Sequence, residues 1–239
     1  MISAPGVFSG FNRELFKFLS DLGKNNSVDW FHKNKERYQK YLVEPSKSFV
    51  TELAPFFNRL NPAIRTEPKF NETLMRMNKD MRFAKGEPYR NYFLIHFGRF
   101  KLDSEFFLYF EANEVQMGLF INKSKGENLY FRKNLENYKD DIKNLFPKND
   151  LNNKYSFHYF KKMETIRASA KFNADKHFEF FEKHDMILLQ KVKMPSARSL
   201  SSGMIILEFI EMVLSLYPLY CFAISPQPIK TLRAFEENF

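Results

Sequence analysis

Apolar residues recur at three- and four-residue spacing from Phe11 through Leu15, Phe18, Leu19 and Leu22. Gly23 follows as a stop, so the pattern predicts a first amphipathic helix. Asn26 or Ser27 is placed to cap a second helix, with Asp29 in its first turn at the positive end of the dipole. Trp30, Phe31, Tyr38, Tyr41 and Leu42 supply its inward contacts. Pro45 opens a third helix, where its missing N–H costs nothing, with Phe49, Val50, Leu53, Phe57 and Leu60 on the apolar face. Pro55 is expected to bend that helix or end its first half.

The period then changes to two. Met75, Met77, Met81 and Phe83 alternate with Arg76, Asn78, Asp80 and Arg82, with Lys79 the exception on the apolar side, as in an extended segment. Tyr92 to Arg99, Glu105 to Glu111 and Glu114 to Ile121 read as successive antiparallel strands, with turns at Leu102–Ser104 and Ala112–Asn113. Gly126 to Phe146 returns to helix, and Pro147 to Asn153 reads as a polar loop. Tyr155 to Phe160 is a further strand, Asp175 to Leu189 a helix, Lys191 to Met194 a short strand, and Ser201 to Leu216 a last helix ending before Pro218.

Helices first, a run of strands, then mixed elements is an α+β order: an antiparallel β meander packed against N-terminal and C-terminal helices. A parallel α/β sheet is disfavoured because strands and helices do not alternate. The 239 residues, 44% of them hydrophobic and 29 of them Phe, suit a single domain over 1–239. Its parts are a helical region 10–60, a charged motif and strand meander 75–121, a helix 126–146 and a mixed C-terminal part 155–224.

Lys and Arg number 37 against 28 Asp and Glu, a formal net charge of +9. Such a basic protein favours encounter with anions without identifying nucleic acid as the partner. One cysteine, Cys221, excludes an intramolecular disulfide and any cysteine-based zinc cage, which suits a cytoplasmic location. Met1 to Gly10 lacks the basic and apolar regions of a secretory signal. The long apolar run, Gly203 to Ile224, carries Glu208 and Glu211 in its middle and Pro218 near its end. Two carboxylates within a membrane span would cost about 2.5–3.5 kcal/mol each, so the run reads as a buried helix and no membrane partner is expected.

Signatures of known chemistry are missing: no Gly-rich phosphate loop, no G-x-S-x-G and no H-E-x-x-H. Cys221 lies in an apolar stretch, where an inert buried thiol is expected. His177 and His184 lie seven apart near Glu179, Glu182 and Asp185, a spacing that suits a solvated helix face better than a metal site. No metal and no cofactor is expected.

The most informative segment runs from Arg76 to Arg90. In an extended chain Arg76, Asp80 and Arg82 project to one side, and a carboxylate between two guanidinium groups holds both in fixed rotamers. Two cations to one anion leave spare positive charge for a phosphate or carboxylate, to which Lys79, Lys85, Tyr89 and Arg90 add donors. The expected ligand-binding set is Arg76, Lys79, Asp80, Arg82, Lys85, Tyr89 and Arg90. The same pattern also suits an internal ion-pair network that only fixes the fold.

This segment resembles the signature of a bacterial family, the domain of unknown function 2461, whose pattern is Arg-x-x-Arg-Asp-x-Arg-Phe followed by a short turn and a Pro-Tyr-Lys step. Arg76, Asp80, Arg82, Phe83, Pro88 and Tyr89 match it, as do Asn25-Asn26, Trp30-Phe31, Lys35 through Tyr38 and Pro218-Leu219. Lys79 stands where the family usually has Arg, and the turn is shortened to Gly86-Glu87. The resemblance spans roughly Phe8 to Ile224 and implies a fold rather than a reaction.

Three functions compete. The first is a binding or interaction domain, for an anionic small molecule or a protein partner, whose Arg/Asp/Tyr cluster receives an anionic group. The second is an enzyme of unassigned class using the same cluster with Asp80 as base. A carboxylate flanked by arginines has a lowered pKa and makes a poor base near neutrality. The third is a nucleic-acid-binding protein using Lys123, Lys125, Arg132, Lys133, Lys139 and Lys143, a face expected to be balanced by Glu127, Glu136, Asp140 and Asp141.

Overall fold

The apolar spacing at the start of the chain becomes α1 (Arg13–Lys24), which buries Leu15, Phe18, Leu19 and Leu22. Its N-terminus is satisfied by Asn12, whose side chain accepts from the Glu14 N–H at 2.9 Å. The helix passes Gly23 and closes on Asn25, whose N–H donates to the carbonyls of Asp21 and Leu22. This computed structural model describes residues 7–82, 85–162 and 164–239.

Ser27 caps α2 (Val28–Lys33), its hydroxyl accepting from the Trp30 N–H. The single second helix expected from sequence is instead interrupted at Asn34. It resumes as α3 (Lys35–Tyr38) and a π-helical turn, Gln39–Val43, before α4 (Glu44–Leu60). Helix α4 does not end at Pro55 but continues to Leu60; Pro55 and Thr51, whose carbonyl loses its helical donor, are both exposed to water.

Strands β1 (Phe93–Phe97), β2 (Glu105–Phe110) and β3 (Val115–Asn122) lie within the strands expected from the sequence, to within a residue. Helices α5 (Phe131–Asn137) and α6 (Lys139–Lys148) replace the single helix expected from 126, with the break at Tyr138. Strands β4 (Tyr155–Lys161) and β5 (Glu164–Ser169) follow. Then come α7 (Ala174–His177), α8 (Glu179–Lys183) and β6 (Met186–Lys191). The chain ends with α9 (Ala197–Leu200), α10 (Met204–Ile224) and α11 (Pro228–Asn238). Among the described residues six strands form one antiparallel sheet in the order β1-β2-β3-β6-β4-β5, flanked by N- and C-terminal helices: an α+β fold.

Two corrections concern the C-terminal third. The helix expected over Asp175–Leu189 stops at Lys183, and Met186–Lys191 is a strand rather than helix, so the short strand expected at Lys191–Met194 starts five residues early. A short apolar run such as Met-Ile-Leu-Leu has no decisive period. Pairing on both sides, with β3 and with β4, satisfies its backbone as a central strand. Gly118 permits a close approach there, since a Cβ would fall 1.8 Å from the Leu189 carbonyl oxygen.

The last long helix passes Pro218 and continues to Ile224. An internal proline costs about 3 kcal/mol. Each fully buried large apolar side chain returns about 1.5–3 kcal/mol, and Leu219, Tyr220 and Phe222 are all buried beyond it. Among the described residues α10 is the one helix long and apolar enough to cross a membrane, and 61% of its most apolar window is buried within the protein.

The chain gathers into two compact units. One comprises the chain up to Lys101 with Leu108–Gln116 and Pro195–Glu208; the other comprises Leu102–Phe107, Met117–Met194 and Phe209–Phe239. The first is centred on aromatic contacts such as Phe8–Phe11 (5.1 Å) and Phe11–Phe110 (4.7 Å). The second is centred on Phe146, Phe157, Phe172 and Phe181.

Candidate functional site

Within the Arg76–Arg90 segment, the described residues before 83 and after 84 form two antiparallel limbs bridged at Asn78 and Tyr89, here called the hairpin. Its outgoing limb first pairs with β1, where the Met75 N–H donates to Leu94 O at 3.0 Å and the His96 N–H to Thr73 O at 2.9 Å. It then pairs with its own return limb: Lys79 N–H to Pro88 O and Arg90 N–H to Met77 O, each 2.8 Å. Met77 is buried while Arg76 and Asn78 point to solvent, so the alternation read from sequence holds this far. Beyond Lys79 it does not. Met81 and Arg82 form a turn, Met81 is exposed, and Phe83 lies outside the described residues.

That turn changes the expected ion-pair geometry. The Arg82 N–H donates to Asp80 Oδ1 at 3.1 Å, a local side-chain-to-backbone turn. The Arg82 guanidinium then grips the same carboxylate with both prongs, Nε to Oδ1 at 3.0 Å and Nη2 to Oδ2 at 2.7 Å. These bonds hold the Asp80 carboxyl below its usual range. Asp80 therefore serves Arg82 and does not bridge to Arg76. Arg76 instead faces the Asn71 carboxamide; with that amide turned so that its oxygen rather than its nitrogen faces the guanidinium, the oxygen accepts from Nε and Nη2 at 3.2 Å each. Asn71 has a left-handed backbone (φ 68) and does not stand out in the sequence, because an asparagine in a turn carries no signal of its partner.

The other expected site residues divide into two kinds. Arg90 turns back on the outgoing limb, its Nη1 donating to the carbonyls of Arg76 and Asn78 at 3.1 and 2.8 Å. These acceptors are neutral, so the pairing leaves the guanidinium charge uncompensated. Tyr89 is buried, its ring stacked on Phe31 at 4.0 Å and 10°. Burial pushes its phenol pKa up. Lys79 is half-buried and Lys85 exposed, next to Gly86, whose φ of 85 is the conformation glycine tolerates.

The hairpin carries five cationic side chains, Arg76, Lys79, Arg82, Lys85 and Arg90, against two carboxylates, Asp80 and Glu87. Its base is fastened by Asn26, which bonds Tyr89 N–H at 3.0 Å, Tyr89 O at 2.9 Å and Glu87 Oε2 at 3.1 Å. Nearby Tyr38 is pushed well up by burial, while the Arg76 charge draws its pKa down.

The remaining sequence candidates resolve differently. Lys123 is buried, its Nζ donating to the Phe181 and Glu182 carbonyls at 2.6 Å each. Arg132 pairs with Asp185 at 2.6 Å, Lys139 with Glu182 at 2.5 Å and Lys143 with Asp175 at 3.4 Å. The balancing carboxylates thus come from α7, α8 and the residue before β6, rather than from the neighbours in sequence expected to supply them. Cys221 is buried, which raises its thiol pKa. His177 accepts from the Asn173 N–H at Nδ1, and His184 stacks on Tyr159 at 3.8 Å. Among the described residues no three His, Cys, Asp or Glu side chains are placed to hold a metal ion.

No curated protein and no solved structure shows significant similarity to the chain. A family model described as "Conserved hypothetical protein (DUF2461)" matches residues 14–222, the stretch holding the hairpin, the Asn26 contact and the C-terminal helix through Phe222, and the chain belongs to that family.

Proposed function

We propose that this protein is a binding domain whose hairpin at Arg76–Arg90 receives an anionic group. The observation that carries this is the charge left at the surface: Arg76 is exposed and, among the described residues, has an amide rather than a carboxylate as its side-chain partner. The Arg82 fork, paired with Asp80, is 81% exposed and oriented by its own turn. Preorganised guanidinium groups suit phosphate or carboxylate oxygens, because the planar donors are already aligned. An enzyme using Asp80 as base is less well supported, since the Arg82 bonds hold that carboxyl ionised well below neutrality.

Thermal denaturation with pyrophosphate, ATP or a short oligodeoxythymidylate tests this. A ligand that binds the folded state alone raises the unfolding midpoint with concentration. At least one of these anions is expected to stabilise the wild type, and Arg76→Ala and Arg82→Ala are expected to lose most of that gain while keeping their own midpoints near wild type. If no anion stabilises the wild type more than Arg82→Ala, the reading fails.

A further inference from the structure

In the hairpin, Asn78 and Tyr89 face each other as a pair whose ladder bonds are made by their neighbours, Lys79 to Pro88 and Arg90 to Met77. In that antiparallel geometry the N–H and C=O of Tyr89 point away from the outgoing limb. A third strand would ordinarily take them. Here one side chain, 63 residues away in sequence, takes both: Asn26 Oδ1 accepts the Tyr89 N–H, and Asn26 Nδ2 donates to the Tyr89 carbonyl. Nδ2 also donates to Glu87 Oε2.

A carboxamide can do this because it carries the donor and acceptor of a peptide group at the same separation. Aspartate lacks the donor and serine the reach. Asn26 is itself held in place. It sits between Asn25, which closes α1 through its N–H, and Ser27, which caps α2 through its hydroxyl. One helix turn on, Phe31 stacks on the Tyr89 ring. The corner between α1 and α2 thus grips Tyr89 twice, by its backbone and by its ring. From Tyr89 the register passes through the two ladder bonds to the limb bearing Arg76 and Lys79, and the Arg90 fork closes the same limb from the other side.

We propose that Asn26 is the positioning residue of this hairpin: acting through Tyr89, it sets the register of both limbs and so the spacing of their cationic side chains. The latch stands on the hydrogen bonds alone; its consequence for binding rests on the anion-receptive reading above. The register of the limbs is then a property of the α1–α2 corner as much as of the charged segment itself.

Amide hydrogen exchange on Asn26→Ala tests the latch without any ligand. The amides of Lys79, Tyr89 and Arg90 are expected to exchange together about tenfold or more faster, while those of β4 and β6 keep their protection. Asn26→Asp keeps the acceptor for the Tyr89 N–H but sets a carboxylate oxygen against the Tyr89 carbonyl and Glu87, and is expected to accelerate the same three amides at least as much. A change confined to Tyr89, or no change, overturns the latch. For the positioning role, pyrophosphate binding by calorimetry is expected to weaken about threefold or more in Asn26→Ala. The salt dependence should match wild type, because no charge is removed, whereas Arg76→Ala flattens it. Faster exchange with unchanged affinity overturns positioning. A wild type that ignores pyrophosphate, ATP and oligonucleotide overturns the anion reading and the positioning role with it, and the exchange result still decides the latch.

Discussion

Two regions of this protein are rich in cations along the chain and differ in what the fold does with them. Around α5 and α6, three of the six cations that sequence grouped into a basic face meet acids arriving from α7, α8 and the residue before β6. Asp175 takes Lys143, Glu182 takes Lys139, and Asp185 takes Arg132. Lys123 is withdrawn from the surface altogether, its ammonium held by two carbonyls at the end of α8. At the Arg76–Arg90 hairpin, among the described residues, the segment's own Asp80 and Glu87 supply the carboxylate contacts. Asp80 is spent on Arg82, Glu87 is engaged by Asn26, and Arg90 rests on neutral carbonyls. Counting charge along a chain therefore does not measure charge in space.

The contrast is broken most severely at Lys123. Replacing it with Ala leaves the Phe181 and Glu182 carbonyls without their donor at a buried position, and the expected loss is about 2–4 kcal/mol, read as a lower urea midpoint. A midpoint within experimental error of wild type would show that the ammonium is replaceable by water, and that its burial is incidental.

A milder change sharpens the comparison. The pair Asp175→Asn with Glu182→Gln removes the carboxylates of Lys143 and Lys139, both pairs partly exposed, so stability should fall by about 1 kcal/mol or less. If carboxylate supply is what separates the two regions, this variant should elute from a heparin column at higher salt than wild type. Unchanged elution would mean that some other feature keeps that face from attracting anions.

The smallest effect is expected at His184. Burial against Tyr159, then the charges of Lys123 and Lys183, lower its pKa, with Asp185 opposing. The unfolded chain, titrating near about 6.5, takes up the proton first. The contribution of neutral His184 is thus complete above that pH and is lost as pH falls from there through the folded value. His184→Phe keeps a stacking ring and should flatten this acidic limb of the stability profile; an unaltered limb would assign the dependence to other groups.

The sequence is readable wherever one face of an element meets the core. Phe11 to Leu22 announces α1 by its three- and four-residue spacing, and runs rich in aromatic and branched residues announce β1 to β3, because such side chains suit a strand packed on the core. It is unreadable where burial leaves no such signal. Strand β5, Glu-Thr-Ile-Arg-Ala-Ser, lies at the sheet edge with no residue fully buried and gives no pattern to detect. Strand β6 reads as helix because its less buried positions, Met186 and Leu188, are as apolar as the buried Ile187 and Leu189, so the alternation of burial leaves no period in the sequence. In the hairpin, the extended limb is legible as far as Lys79, whereas the Asp80–Arg82 turn and the partnership of Arg76 with Asn71 are not.

Amphipathic spacing, capping residues and the unequal charge of Arg76–Arg90 are local properties, so the amino-acid order alone determined α1, the start of α2, the first three strands and the place of the candidate segment. Which carboxylate meets which cation, and that Asn26 completes a hairpin far along the chain, depend on approaches between residues separated by tens of positions. Only folding makes those approaches, because hydrogen bonds and ion pairs act over a few ångströms and carry no trace in the sequence between their ends.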